Sequence, residues 1–277
     1  MKTRTSPRVR RSACLCGLAT LGALAIGSNL ASAQQINLAD STVFGGVIHD
    51  ALYTVDTTQP AGTGIFARDS RGVFLSVQNN GTEEGYNSEA HNIMDTKRVD
   101  QWNHAVSFSD LSVVNINGKA YVPFLLDVNE SMGGGRNLIS LDDVKIFTSS
   151  DAQLADRTLN ALLVNPDNIL RYSLDTGAND PNSWVLLDYA RSSSGSGRAD
   201  MGLFVPLSDF AGAHATDSVY LYCRFGADVA GAGADCTTDA GFEEWTLGAG
   251  MSVVPEPSCT ALAAAATLGL CLRRRRA

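Results

Sequence analysis

The residues best suited by type to do chemistry are carboxylates. Glu243-Glu244-Trp245 places two acids beside an aromatic ring, and sugar hydrolysis needs only two carboxyls flanking a glycosidic bond. Consecutive side chains on a strand point to opposite faces, however. Glu243 would share a face with Trp245, and Glu244 with Phe242, so the adjacent acids cannot form one acid–base pair. The plain reading is the last strand of a sheet with its acids solvated at an edge. A second acidic group comprises Asp127-Val128-Asn129-Glu130 and Leu141-Asp142-Asp143-Val144, separated by Gly133-Gly134-Gly135, which would let the chain fold back tightly between them. Calcium takes about six to eight oxygen ligands, which loops of a β domain supply readily. Asp127, Asn129, Asp142 and Asp143 are therefore the candidate ligands of a structural calcium, with ordinary turn and edge acids as the alternative. There is no EF-hand pattern.

Other signatures of catalysis are missing. The chain has no His-Glu-x-x-His, no Gly-x-Ser-x-Gly, no P-loop and no dinucleotide glycine fingerprint. His49, His91, His104 and His214 lack metal-ligand spacing and read as surface or turn residues. Trp102, Trp184, Trp245 and the tyrosines could act as sugar platforms, but most lie within apolar runs where core packing is the default. Outside the chain ends only Cys223 and Cys236 remain. Their spacing predicts a disulfide, worth about 3 kcal/mol in the loop-entropy picture, provided the protein reaches an oxidising compartment.

Strands must position these groups. Short β-branched, aromatic and aliphatic runs separated by turn residues predict strands over Val43–Val55, Val73–Gln78, Ala105–Phe108, Leu111–Ile116, Ala120–Val128 and Leu138–Phe147. Further strands are expected over Ile169–Leu174, Trp184–Tyr189, Gly202–Pro206, Val219–Phe225 and Phe242–Leu247. Asn117-Gly118 is the strongest hairpin signal. Val219, Leu221, Cys223 and Phe225 alternate with Tyr220, Tyr222 and Arg224, which predicts one buried face. Only Asp151–Leu163 reads as helix. The expectation is an all-β domain, an antiparallel, jelly-roll-like β-sandwich.

Both ends carry transport signals. Lys2, Arg4, Arg8, Arg10 and Arg11 precede an apolar run from Ala13 to Ile26, and then Ala31-Ser32-Ala33. This is the order of a Sec-type signal peptide, with signal peptidase cutting after Ala33. The run would rise only about 21 Å as a helix, short of the roughly 30 Å hydrocarbon core, which disfavours a permanent anchor. Twin-arginine and lipoprotein readings fit less well, because Ala13 and Cys14 follow Arg10-Arg11 and Cys14 and Cys16 open the apolar run. At the other end Pro255-Glu256-Pro257 precedes an uncharged run, Thr260–Leu272, and then Arg273-Arg274-Arg275-Arg276. Four arginines hold that flank on the cytoplasmic side.

Pro-Glu-Pro, a short transmembrane helix and an arginine cluster, in that order, resemble the PEP-CTERM sorting signal of Gram-negative bacteria. The resemblance covers about the last 25 residues; Cys259 and Cys271 depart from it in detail. It implies recognition by an exosortase-type membrane enzyme, a transient inner-membrane tether and delivery to the cell surface or exopolysaccharide matrix. A plain tail anchor is the alternative. Ser192–Gly197 with its flanking strands, and Gly241–Trp245, also resemble the bodies of such proteins, a group with no assigned activity.

The expected organisation is thus signal peptide 1–33, β domain 34–252 and sorting signal 253–277. Removing both ends leaves 12 basic and 28 acidic residues, a net charge near −16 against −8 for the whole chain. Such a surface disfavours nucleic acid as a partner. The leading expectation is a non-enzymatic surface protein. Alternatives are a carbohydrate-binding module, with or without calcium, and an envelope glycoside hydrolase or lyase.

Overall fold

The computed structural model describes residues 33–55, 72–90, 92–96, 102–133, 136–175, 183–192, 199–227, 236–239 and 241–248. The expected sorting tail, and the signal peptide apart from Ala33, lie outside the described residues. Among the described residues no helix is long and apolar enough to cross a membrane.

The described chain is mostly β. Its strands are β1 (Gln35–Asn37), β2 (Gly45–Ile48), β3 (Ala51–Val55), β4 (Val73–Val77), β5 (Asn80–Gly81), β6 (Glu83–Tyr86), β7 (Val106–Ser107) and β8 (Val114–Ile116). They continue as β9 (Lys119–Asp127), β10 (Leu138–Ser149), β11 (Asn168–Ser173), β12 (Trp184–Asp188), β13 (Met201–Pro206), β14 (Ser218–Phe225), β15 (Thr238–Asp239) and β16 (Glu243–Leu247). Two short α-helices, α1 (Leu159–Val164) and α2 (Tyr189–Ser192), interrupt the pattern. One seven-stranded sheet runs β1-β12-β10-β14-β6, with β11 on β10 and β7 on β14. The other runs β2-β3-β13-β9-β16-β4, with β8 on β9. β5 and β15 form a separate ladder. The named pairings are antiparallel except β1 with β12, which is parallel.

One apolar cluster draws side chains from both seven-stranded sheets, among them Leu141, Val144, Leu221 and Phe225 from the first and Tyr53, Phe124, Leu203 and Trp245 from the second. In β14 the expected alternation holds, since Val219, Leu221, Cys223 and Phe225 all join this cluster. The opposite face is not open to solvent, as the alternation implied. Tyr220 and Tyr222 are fully buried there with Phe147, Leu154 and Leu162. The segment leading into α1 lies over that face and hides it.

β10 shows how a local irregularity sets the phase of burial. Ile139 and Leu141 face the shared core, and so do Val144 and Ile146. The change from odd to even positions requires one extra residue. The pairing with β14 indeed slips between Leu141 and Asp143, the signature of a β-bulge.

Three sequence expectations need correction in detail. Val43–Val55 is not one strand: His49 (φ 47) and Asp50 (φ 66) turn the chain between β2 and β3. These two left-handed residues make the same kind of two-residue turn as Asn117 (φ 53) and Gly118 (φ 83), which join β8 to β9 as expected. The helix expected over Asp151–Leu163 shrinks to Leu159–Val164. Thr158, whose hydroxyl accepts from the Ala161 N–H at 3.2 Å, caps it, while Asp151 folds its own carboxylate onto the Gln153 N–H at 2.8 Å. Third, Cys223 and Cys236 are not joined in a disulfide. Cys223 points into the core shared by the sheets, while Cys236 packs with Leu186 in a different cluster. Their spacing in the chain suited a bridge, but their side chains serve separate packing sites.

Candidate functional site

Val77 ends β4 opposite Glu243, which starts β16, and Phe225 ends β14 opposite Glu83, which starts β6. Glu83 opens β6 and Glu243 opens β16, so each belongs to a different seven-stranded sheet. Both side chains have 0% exposure. Glu243 does share its face with Trp245, as alternation required, but β16 lies between β9 and β4, so the expected solvated edge acid is a buried one.

Backbone donors hold each carboxyl by one oxygen. Glu83 Oε2 accepts from the Asn79 N–H at 2.8 Å, and Glu243 Oε1 lies 3.5 Å from the Asn129 N–H that points at it. The two side chains hydrogen-bond to each other. Glu83 Oε1 and Glu243 Oε2 receive no N–H or O–H from the rest of the fold. Two carboxylates cannot hydrogen-bond, since neither has a donor, so a bond between these side chains requires one shared proton. Burial pushes Glu243 well above the ordinary carboxyl range, and donating its proton to Glu83 raises it further. Burial raises Glu83 as well, while the proton received from Glu243 and the Asn79 N–H oppose that rise.

Neighbours on the loop after β9 extend the acidic end. Glu130 is 5% exposed, and its carboxylate accepts from the Asp239 N–H at 3.0 and 3.3 Å. Burial lifts its pKa to about 7, against the effect of that N–H. Asp239 meets Arg136 at 3.6 Å near the surface. Asn129 donates from Nδ2 to the Phe242 carbonyl at 2.7 Å, and an added Cβ at Gly241 would fall 1.5 Å from the Asn129 oxygen. Only glycine permits that approach.

The expected calcium ligands are not assembled into one group. Asp127 ends β9 in one sheet, while Asp142 and Asp143 lie on β10 in the other. Asn129 is committed to β16 through the Phe242 carbonyl. Asp142 accepts from the Ala227 N–H at 2.7 Å. Asp143 pairs with Lys145 at 2.9 Å, and both are buried. Among the described residues no three or more His, Cys, Asp or Glu side chains stand together in a way that could hold a metal ion.

Lys145 brings up an arrangement that the sequence did not flag. Its ammonium lies 2.8 Å from Ser173 Oγ, the spacing of a serine nucleophile beside a lysine base. A lysine must lose its proton to act as base. Here the ammonium is hydrogen-bonded to the Asp143 carboxylate and reaches the Asp175 carbonyl at 3.4 Å, so its donors are committed. Ser173 donates its own hydroxyl proton to the Asp175 carbonyl. The cluster ties β10 to β11 rather than activating an oxygen. Parity on a strand cannot reveal it, because Lys145 and Ser173 become neighbours only through the β10–β11 register.

The aromatic candidates are mostly interior. Trp245 is fully buried, and Tyr53, Tyr86, Tyr172, Tyr220 and Tyr222 are buried too. Tyr53 and Tyr172 share a hydrogen bond of 2.8 Å between the two sheets. Trp102 and Trp184 are half-buried. Phe44, 62% exposed, lies under the Arg191 guanidinium at 5.3 Å. Tested against known proteins, the chain matches no family model, no curated protein and no solved structure.

Proposed function

We propose that this is a non-enzymatic protein of the bacterial envelope, exported through its N-terminal signal and delivered to the surface or exopolysaccharide matrix by its C-terminal tail. The observation that carries the reading is the order Pro255-Glu256-Pro257, the uncharged Thr260–Leu272 run and Arg273–Arg276. The run gives only about 20 Å of helix, marginal for permanent residence in a bilayer. A handle recognised and cut by an exosortase-type enzyme accounts for that length better than an anchor does. The body is then an antiparallel β-sandwich; the single apolar cluster shared by both seven-stranded sheets supports this.

Two features favour a structural over a catalytic role. Glu83 and Glu243 are fully buried and in contact, which leaves no room for a sugar between them. The Lys145–Ser173 contact is saturated by Asp143 and the Asp175 carbonyl. The test is to delete Arg273–Arg276 in the native host and follow an epitope placed in the body. Retention of an uncleaved, membrane-held form is expected. Unchanged processing and location would overturn the sorting route.

A further inference from the structure

Glu83 and Glu243 are two acids of the described chain whose placement demands something besides protein. Both carboxyls are wholly removed from water, each uses one oxygen on a backbone N–H, and each presents its second oxygen where the fold supplies no donor. An orphaned buried carboxylate oxygen costs heavily in free energy. Among the described residues no cation is paired with either acid. From the loop after β6, Asp95 acts on Glu83; from the loop after β9, Glu130 acts on Glu243. On β14, Cys223 is a neutral neighbour, and the field of Arg224 is felt at Asp142 and Asp143. On β15, Asp239 is itself acidic and takes Arg136, while Lys145 is held by Asp143. Asn79 and Asn129 contribute only neutral N–H groups.

We propose that Glu83 and Glu243 form a proton-keyed clasp between the two seven-stranded sheets, in which Glu243 donates to Glu83 and loss of that proton opens the clasp. The strand pairing explains why the two meet. Glu243 lies opposite Val77 in the β4–β16 ladder, and Asn79, two residues beyond Val77, delivers its N–H to Glu83. Ionising both acids would place two negative charges in contact, with Asp95 and Glu130 adding to the repulsion. The sheets would separate there first. The clasp is therefore closed in acid and weakens as the medium turns alkaline. In an acidic polysaccharide matrix it would stay closed.

The test uses the full chain in mild detergent, with its Glu243→Gln and Glu83→Gln variants. A glutamine at 243 still donates to the Glu83 carboxylate but cannot ionise. In the parent protein the infrared carbonyl band of a neutral carboxylic acid should persist at pH 8, and it should vanish in Glu243→Gln. The parent Tm should fall by about 4 °C or more between pH 7 and pH 10, and Glu243→Gln should remove most of that slope. The Glu83→Gln variant separates clasp from packing, since it removes the close charge pair but leaves Glu243 buried, and should keep only part of the slope. Absence of the acid band in the parent, or equal slopes in all three proteins, overturns the proposal. A rise in parent Tm at pH 8 with millimolar calcium, abolished in Glu243→Gln, would also overturn it by assigning a cation to the pair. None of these readouts depends on the sorting tail, so their failure leaves the envelope reading standing.

Discussion

Lys145 illustrates how a single buried charge is tolerated. Its ammonium has three donors, and Asp143, Ser173 and the Asp175 carbonyl take them. Removing one partner of such a pair is far worse than removing both, because the survivor stays buried and charged. Lys145→Met should therefore cost about 3–5 kcal/mol in urea unfolding at pH 8. The loss should shrink at pH 5, since burial already raises Asp143 and protonation would relieve it. A K145M/D143L double variant should recover most of the stability. A single-variant cost below about 1 kcal/mol would mean that the pair contributes only as exposed pairs do.

Glycine has different jobs in different elements, and substitution separates them. At Gly118 the φ of 83° needs a left-handed residue, yet a Cβ there would meet nothing within 4 Å. Gly118→Ala should then cost only the backbone penalty, about 1–2 kcal/mol. At Gly241 a Cβ would fall 1.5 Å from the Asn129 oxygen, so the loop after β9 and the entry to β16 must part. Gly241→Ala should cost about 3 kcal/mol or more and disturb the Asn129–Phe242 bond. Denaturant midpoints of the two variants check this order; a larger loss at Gly118 would contradict it. Arg191 works at the same scale. Its guanidinium donates to the carbonyls of Leu38, Asp40, Ser41 and Val43 and so pins the segment between β1 and β2 onto α2.

The whole molecule should be more stable in mild acid than in mild base. Glu83, Glu130, Glu243, Asp142 and Asp143 are all raised above their ordinary values, with burial the first cause in each. In the pH range between the unfolded and folded values of such a group, the folded chain binds more protons than the unfolded one, so stability falls as pH rises. For Glu130 that window runs from the ordinary value of 4.5 to about 7. The stabilisation is complete below it and lost above it. Urea midpoints measured from pH 5 to pH 8 should decline steadily; a rise across that range would refute the expectation. The high negative charge of the body adds self-repulsion in the same direction.

Periodicity and turn chemistry were enough to place most strands. β9, β10, β12, β13, β14 and β16 fall within a residue or two of their expected bounds, because each is a long apolar or alternating run. The Asn117-Gly118 hairpin was equally plain. β6 was missed because Glu83-Glu84-Gly85-Tyr86 has a polar composition, and only the fold makes Glu83 a core residue. His49-Asp50 was missed because neither residue advertises a left-handed turn as Asn-Gly does. The transport signals are linear and local, so the sequence alone determines that expectation; the candidate site is not. Glu83 and Glu243 stand 160 residues apart in the chain, and their strands belong to different sheets. The pairing of β4 with β16, and the core shared by the two sheets, decide that these acids meet out of reach of water. Burial is a property of the assembled sheets, and it alone turns two ordinary glutamates into a proton-holding pair.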